Sequence, residues 1–301
     1  MVLASLQFPQ FVDFDPVLTE VFFSQYDRDL QRGAGVHGLF RIGTSNKSKE
    51  TDLRVGGFED PVPFNGTIEY DVARRGYEVE YDFDEFVKGF GITRKMRDDL
   101  LYDTIFDSAS GMATAFARRV RKDAASVFNN STSSSYLGYD SKALCANDHP
   151  MSRTDSTSVD NLGALALTAE NLETAVLAMQ DFGDDLGEEI TIMPDTIVVP
   201  RALRKNALEI VGSDKRPDDA ENAINVQEGI WNIIVDPYLT SSTAWWIVDS
   251  TMSRRYLKWY DRVPVEFAGM QDFDTMIWKY RGYMRYGYGW SDFRWVYQGN
   301  S

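Results

Sequence analysis

Hydrophobic and polar residues alternate most regularly between Tyr77 and Phe83, where Tyr77, Val79, Tyr81 and Phe83 interleave with Glu78, Glu80 and Asp82. A period of two gathers the apolar side chains on one face and predicts a half-buried β-strand. A second alternating piece, Thr67–Ala73, sets Ile68, Tyr70 and Val72 against Thr67, Glu69 and Asp71. With the extended Thr51–Val55 and the Gly/Pro-rich Gly56–Gly66 between them, it reads as a half-exposed β-hairpin with a long tip. From Thr93 the period lengthens. Met96, Leu101, Ile105, Ala109, Met112, Phe116, Val120, Ala124 and Val127 recur mostly every three or four residues. That stripe predicts one helix over Thr93–Phe128, roughly 54 Å long. Its acids (Asp98, Asp99, Asp103, Asp107) precede its bases (Arg118, Arg119, Arg121, Lys122), which suits the helix dipole. The polar tract Asn129–Ser135 ends it and marks a boundary.

Residues 136–250 read as α+β. Thr168 is placed to cap a helix carrying Leu172, Ala175, Val176 and Met179 on one side. Glu189–Val199 is a β-rich run interrupted at Pro194, and Pro200 opens a short helix through Val211. Ile230–Val235 and Ala244–Val248 are two further strands. All seven tryptophans lie beyond residue 230, and 16 of the 40 aromatics fall between Trp245 and Tyr297, a composition natural to strands. The first forty residues are mixed and turn-rich, and Thr44–Glu50 is a polar loop. No repeat of 20–50 residues recurs, which argues against a solenoid.

The chain has 301 residues, the length of about two domains. Its 31 basic and 46 acidic side chains leave it at −15, a field that repels phosphate backbones and anionic lipid. A single cysteine, Cys145, excludes an intrachain disulfide framework, and two histidines, His37 and His149, make a zinc site improbable in composition. No apolar run approaches the ~20 residues needed to span a bilayer. Met1–Pro16 lacks a basic stretch and meets Asp13 and Asp15 early, so it does not read as a signal peptide, and the chain is expected to be made as an intracellular protein. The Asn-x-Ser/Thr triplets at Asn46, Asn65, Asn129 and Asn130 then carry no meaning.

Four motifs hint at chemistry. Gly33-Ala34-Gly35-Val36-His37-Gly38 fits G-x-G-x-x-G with Asp52 beyond it, but that fingerprint needs a strand before and a helix after, and here it reads as part of an arm. Cys145 and His149 pair a nucleophile type with a base type, yet Pro150 and polar neighbours indicate a loop with no third, orienting group. The acidic pairs Asp98-Asp99, Asp184-Asp185, Glu188-Glu189 and Asp218-Asp219 depart from calcium-loop spacing and read as solvated turns. Trp278–Trp290 interleaves aromatics with bases in the manner of a single-strand stacking platform, but the overall charge favours a packed sheet with Arg and Lys along one edge. No catalytic constellation remains, and no cofactor or metal is implied. The function is expected in the surfaces, and a long two-stranded arm is expected to lie on a neighbour, since it is marginal alone in water.

The order of elements is itself informative. Leu167–Met179, then Ile192-Met193-Pro194-Asp195-Thr196-Ile197-Val198-Val199-Pro200, preceded by the loop Leu144–Pro150, resembles the central domain of the major capsid proteins of tailed bacteriophages. The resemblance is to the Hong Kong 97-type fold, closest to the Mu-like major head subunit group. It implies an α+β subunit with an N-terminal arm (1–50), an extended E-loop hairpin (51–73), a peripheral domain (74–135 and 254–301) containing the spine helix, and an axial domain (136–253). It further implies assembly contacts at the E-loop tip, Gly56, Gly57, Phe58, Glu59, Asp60 and Pro61, and at a peripheral turn within Pro264–Asp274 that carries Phe267, Asp272 and Asp274. The implied function is a non-enzymatic shell subunit that forms pentamers and hexamers and encloses double-stranded DNA without reading its sequence. Its partners would be other copies of itself, a portal and a scaffolding protein, with no membrane. It would be assembled in the bacterial cytoplasm and end in the virion. Some relatives carry a cleavable scaffolding segment before the arm; the few tens of residues here imply a separate scaffold or a mature form. Some also crosslink through lysine and asparagine. Lys47, Lys49 and Asn65 lie in or beside the arm, but residue type alone assigns no such chemistry. A net −15 suits a shell that must not stick to its DNA. An encapsulin-like compartment on the same fold and a nucleotide-binding enzyme are the alternative readings.

Overall fold

A computed structural model describes residues 14–32, 35–68, 70, 75–99, 101–213, 225 and 227–301. In chain order it holds α1 (Phe14–Gln31), β1 (Arg41–Thr44), β2 (Glu50–Val55), β3 (Arg75–Tyr81), β4 (Asp84–Thr93), α2 (Arg94–Asp98) and α3 (Tyr102–Asn129). The short strands β5 (His149–Pro150), β6 (Ser158–Val159) and β7 (Leu162–Gly163) lead to α4 (Ala169–Gln180), β8 (Thr196–Pro200) and α5 (Arg204–Gly212). Then come β9 (Asn232–Asp236), β10 (Trp245–Val248), α6 (Ser250–Tyr256), β11 (Leu257–Asp272), β12 (Ile277–Trp290) and β13 (Val296–Gly299). These residues form two compact units, each discontinuous in sequence.

The smaller unit draws on Met1–Ala34, Asp84–Val120 and Val263–Tyr286. In it β4 and β12 pair antiparallel from Asp84↔Tyr286 to Thr93↔Ile277. The turn-rich reading of the N-terminal segment is corrected here, because α1 is an 18-residue helix. Leu18 and Phe22, four residues apart, are fully buried, with Phe22 stacked on Phe267 at 4.7 Å and edge-on to Phe116 at 6.0 Å. A polar tie adds to this packing, since the Tyr280 hydroxyl donates to Asp15 at 2.7 Å. The single helix expected over Thr93–Phe128 is also corrected, to α2 followed by the 28-residue α3. Thr93 caps α2 by accepting from the Met96 N–H at 3.3 Å, and the Leu101 N–H reaches back five residues to the Met96 carbonyl. That bond closes a helix instead of continuing it, at the one point where the apolar stripe steps by five, from Met96 to Leu101.

The larger unit draws on Gly35–Phe83, Arg121–Arg262 and Gly287–Ser301. Its core is a five-stranded sheet in the order β7-β13-β10-β8-β9, antiparallel at β13–β10 and β10–β8 and parallel at its two outer pairs. Every residue of β8 and β10 is buried, as fits central strands. Thr168 caps α4 as its position predicts, accepting from the Asn171 N–H at 3.2 Å, and Leu172, Ala175 and Met179 turn into the core beside Ile197, Val199 and Trp245. Of the β-rich run 189–199, only the part after Pro194 becomes strand. β1 pairs in parallel with the first residues of β11, Arg41↔Lys258 to Thr44↔Asp261.

Candidate assembly surfaces

The hairpin holds the expected first strand, Thr51–Val55, within β2, but the strand paired with it is β3, from Glu50↔Tyr81 to Val55↔Arg75, not Thr67–Ala73. Of the second piece, Thr67 and Ile68 lie outside any strand and Ile68 is exposed; Glu69 and Asp71–Arg74 fall outside the described residues. The alternation at 77–83 wins because its apolar side chains find partners. Tyr77 sits 5.0 Å from Tyr139 and Tyr81 5.4 Å from Tyr260, ring to ring, and Tyr81 and Phe83 are buried.

On β2 the pattern is reversed. The half-buried positions are Glu50, Asp52 and Arg54, while Leu53 and Val55 are exposed. Each inward charge has a partner. Glu50 accepts from the Ser45 hydroxyl at 2.7 Å and from Lys47 at 2.9 Å, which together hold its carboxyl below the usual range. Asp52 pairs with Lys258. Arg54 reaches Asp292 at 2.7 Å and Asp185 at 3.1 Å. Burial opposes the charge on Arg54, but Asp292 and Asp185 outweigh it, so the guanidinium is held charged even more firmly than usual. Asp292 and Arg294 are fully buried and bonded to each other at 3.3 Å, and Arg294 also donates to the carbonyls of Gly183 at 2.7 Å and Met151 at 2.5 Å. Asp185, expected in a solvated turn, is therefore part of a buried ion cluster, and Asp184 closes the same loop by accepting from the N–H groups of Leu186 and Glu188.

Beside this cluster lies a cleft of about 650 Å³, lined in part by Arg41, Asp52, Arg255, Lys258 and Ser291. Gly56 is buried at its edge, and a Cβ on Gly57 would lie 2.7 Å from Asp184 Oδ2. These two glycines thus belong to the base of the loop. Phe58, Glu59, Asp60 and Pro61 are exposed, and so are Val62, Phe64, Ile68 and Tyr70; Phe64 is 78% and Tyr70 87% accessible. Large apolar side chains in a Gly/Pro-rich loop were the signal for Phe64 and its neighbours. Nothing in the sequence joins Arg54 to residues 185, 292 and 294.

The turn in the second predicted contact region lies later than expected. Pro264 and Phe267 lie within β11, and the turn itself is Phe273–Met276. Phe267 is half-buried against Phe22 and Tyr280, so it serves the core of its own unit. Phe273 is 91% accessible at the tip, flanked by exposed Met270 and Met276. Asp272 accepts from Lys279 at 2.5 Å and from the N–H groups of Asp274 and Thr275, and the Lys279 bond leads in holding its carboxyl down at about 2. Asp274 is exposed.

The remaining motifs are absorbed by the fold. Gly33 and Ala34 lie outside the described residues; beyond them the Val36 N–H donates to the Asp236 carboxylate at 3.0 Å, so an acid already occupies the place where the glycine fingerprint would hold phosphate. Gly35, at φ +56°, leaves no room for a side chain there. His149 is buried, bonded through Nδ1 to Asp140 at 2.6 Å and stacked 3.9 Å over Phe293, while Cys145 is a buried thiol whose pKa burial pushes up. Lys49 pairs with Glu80 at 3.3 Å and Asp82 at 3.0 Å, Lys47 pairs with Glu50, and Asn65 Oδ1 accepts from the Thr67 N–H. The run Trp278–Trp290 is the strand β12, with Tyr280, Met284 and Tyr286 buried and Lys279 and Arg281 exposed; Trp278 is half-buried under the Arg97 guanidinium at 4.7 Å. Among the described residues no cluster of acids, histidines and cysteine is arranged to hold a metal ion, and no helix is long and apolar enough to cross a membrane.

Residues 76–299, about three quarters of the chain, match the phage capsid protein family, and the chain belongs to it. No curated protein matches. Solved structures share the fold at low identity. A virus-like particle from Pyrococcus furiosus is 10% identical with a TM-score of 0.58, over 96% of this chain and 100% of that one. The procapsid of bacteriophage JBD30 is 14% identical with a TM-score of 0.53, over 95% and 74%. The Microbacterium phage Oxtober96 chain is 10% identical with a TM-score of 0.54, over 99% and 96%. The protein is thus a capsid shell protein with a mixed α/β fold.

Proposed function

We propose that this chain is the major head subunit of a tailed phage, with the Hong Kong 97-type fold and closest to the Mu-like group. It builds pentamers and hexamers that close into a shell around double-stranded DNA, and its role is structural rather than catalytic. The observation that carries this reading is the hairpin of a capsid-family chain whose tip holds Phe58, Val62, Phe64, Ile68 and Tyr70 out to solvent. Contiguous apolar side chains of this kind mark a surface made for a protein partner. Family membership favours the phage head over an encapsulin-like compartment. In this assignment 1–50 is the arm, 51–73 the E-loop, 74–135 with 254–301 the peripheral domain and 136–253 the axial domain. The contacts lie at Gly56–Pro61 and around Phe267, Asp272 and Asp274. Portal and scaffolding proteins are the further partners, assembly takes place in the host cytoplasm, and the virion is the destination. Many weak contacts per subunit add up when one arm engages several neighbours. Deleting Gly56–Gly66 is expected to leave a folded subunit that builds few or no shells in negative-stain electron microscopy. Normal shells from that variant would remove the E-loop assignment.

A further inference from the structure

β2 offers the body of its unit only charges, Glu50, Asp52 and Arg54, and Arg54 is the last of them before the loop. Beyond it Val55 is exposed, the ladder with β3 ends at Val55↔Arg75, and the large side chains of the loop stand in solvent. The ladder is irregular at this point. It passes from Leu53↔Glu78 to Val55↔Arg75, so β3 carries one residue more than β2 opposite Arg54. Such a bulge re-aims the chain and the side chain it faces. Gly76 makes the close approach possible, because a Cβ there would lie 2.8 Å from the Arg54 carbonyl oxygen. The guanidinium then spans two carboxylates from distant parts of the sequence, Asp185 and Asp292. Its planar fork suits two acceptors at once, which a lysine ammonium does not reproduce.

We infer that Arg54 is the positioning residue of the hairpin, fixing the direction in which the apolar loop leaves the body. β3 is anchored separately, through Tyr77 on Tyr139 and Tyr81 on Tyr260. Asp292 keeps Arg294 and the Phe293 N–H when Arg54 is removed, so the cluster is not left with a bare buried acid. Loss of Arg54 therefore loosens one strand end and its loop while the sheet stays closed. The consequence for shell building rests on the function proposed above; the loosening does not.

The test is hydrogen exchange by mass spectrometry on the full-length wild type, Arg54→Met and Arg54→Lys. In Arg54→Met the amides of residues 53–58 are expected to exchange at least about ten-fold faster, with 77–81, β8 and β10 within about two-fold of wild type. Arg54→Lys should fall between. Unchanged exchange at 53–58, or an equal rise throughout the larger unit, overturns the inference. Should Arg54→Met not fold, Asp185→Asn, which removes one of the two carboxylates, is read by the same comparison, and failure of both to fold also overturns it. Electron microscopy of the same samples supplies the second reading. Arg54→Met with a protected sheet should form fewer or malformed shells, and normal shells would deny Arg54 its positioning role. A wild type that forms no assembly would count against the proposed function alone, because the exchange result stands without it.

Discussion

In β8 every side chain from Thr196 to Pro200 is buried, whereas in β2 half-buried charges alternate with exposed Leu53 and Val55. Both are extended segments of the larger unit, and both pair with neighbours along a regular ladder for most of their length. The sheet strand gains its stability within the chain, by removing apolar surface from water at about 25 cal/mol per Å². The hairpin strand is docked by ion pairs and leaves its apolar surface unused. Such surface stabilises something only when a second molecule covers it, so the apolar side chains of the sheet strand stabilise the fold and those of the hairpin strand add nothing to it.

Three experiments bear on that contrast. The largest effect is expected in the sheet, where Trp245 is fully buried, donates its indole N–H to the Leu165 carbonyl at 2.9 Å and lies against Gly299. Trp245→Ala should lower stability by about 3–5 kcal/mol in urea unfolding, and a loss below about 1 would deny the sheet its role as the seat of stability. A somewhat smaller, pH-dependent effect is expected at His37. It is buried edge-on to Trp259, its Nε2 has no hydrogen-bond partner among the described residues, and burial followed by the charge of Arg121 lowers its pKa to about 4. Because the folded protein keeps this ring neutral, the stability it allows is full above pH 6.5 and is lost as pH falls toward 4. The loss amounts to roughly 3 kcal/mol at its limit. His37→Phe should flatten the stability profile between those values, and an unchanged slope would assign the acid sensitivity elsewhere. The smallest effect on folding is expected at the hairpin tip. Phe64→Ser should change stability by less than about 0.5 kcal/mol while reducing shell formation in electron microscopy. A stability loss comparable to that of Trp245→Ala would erase the distinction between the two regions.

How far the chain could be read in advance follows the same line. Segments with a strong pattern of their own were legible: the alternation of Tyr77, Val79 and Tyr81, the Thr168 cap and the apolar run Ile197–Val199 all became the elements they suggested. Segments with a weaker or interrupted pattern were not. In α1 the positions Phe14, Val17, Leu18, Val21 and Phe22 have helical spacing, but what buries Leu18 and Phe22 are the distant Phe116, Phe267 and Tyr280. The break between α2 and α3 falls at the one step of five in the apolar stripe, Met96 to Leu101, a small irregularity beside the regular threes and fours that follow. Phe267 looked like a turn residue and is a core one, whereas Arg54 looked unremarkable within a short extended stretch.

The threading of the chain through both units has a temporal side. β12 completes the smaller unit by pairing with β4, and β13 sits between β10 and β7 in the larger one, next to the buried Phe293 and Trp295. Neither unit can close until β12 and β13 have emerged from the ribosome, roughly tens of seconds after the hairpin has done so. Until the end of that interval the loop hangs from an unfinished body, with Asp292 still to come and only Asp185 available to Arg54. The order of synthesis thus delays the full docking of β2 until the larger unit has its last strand.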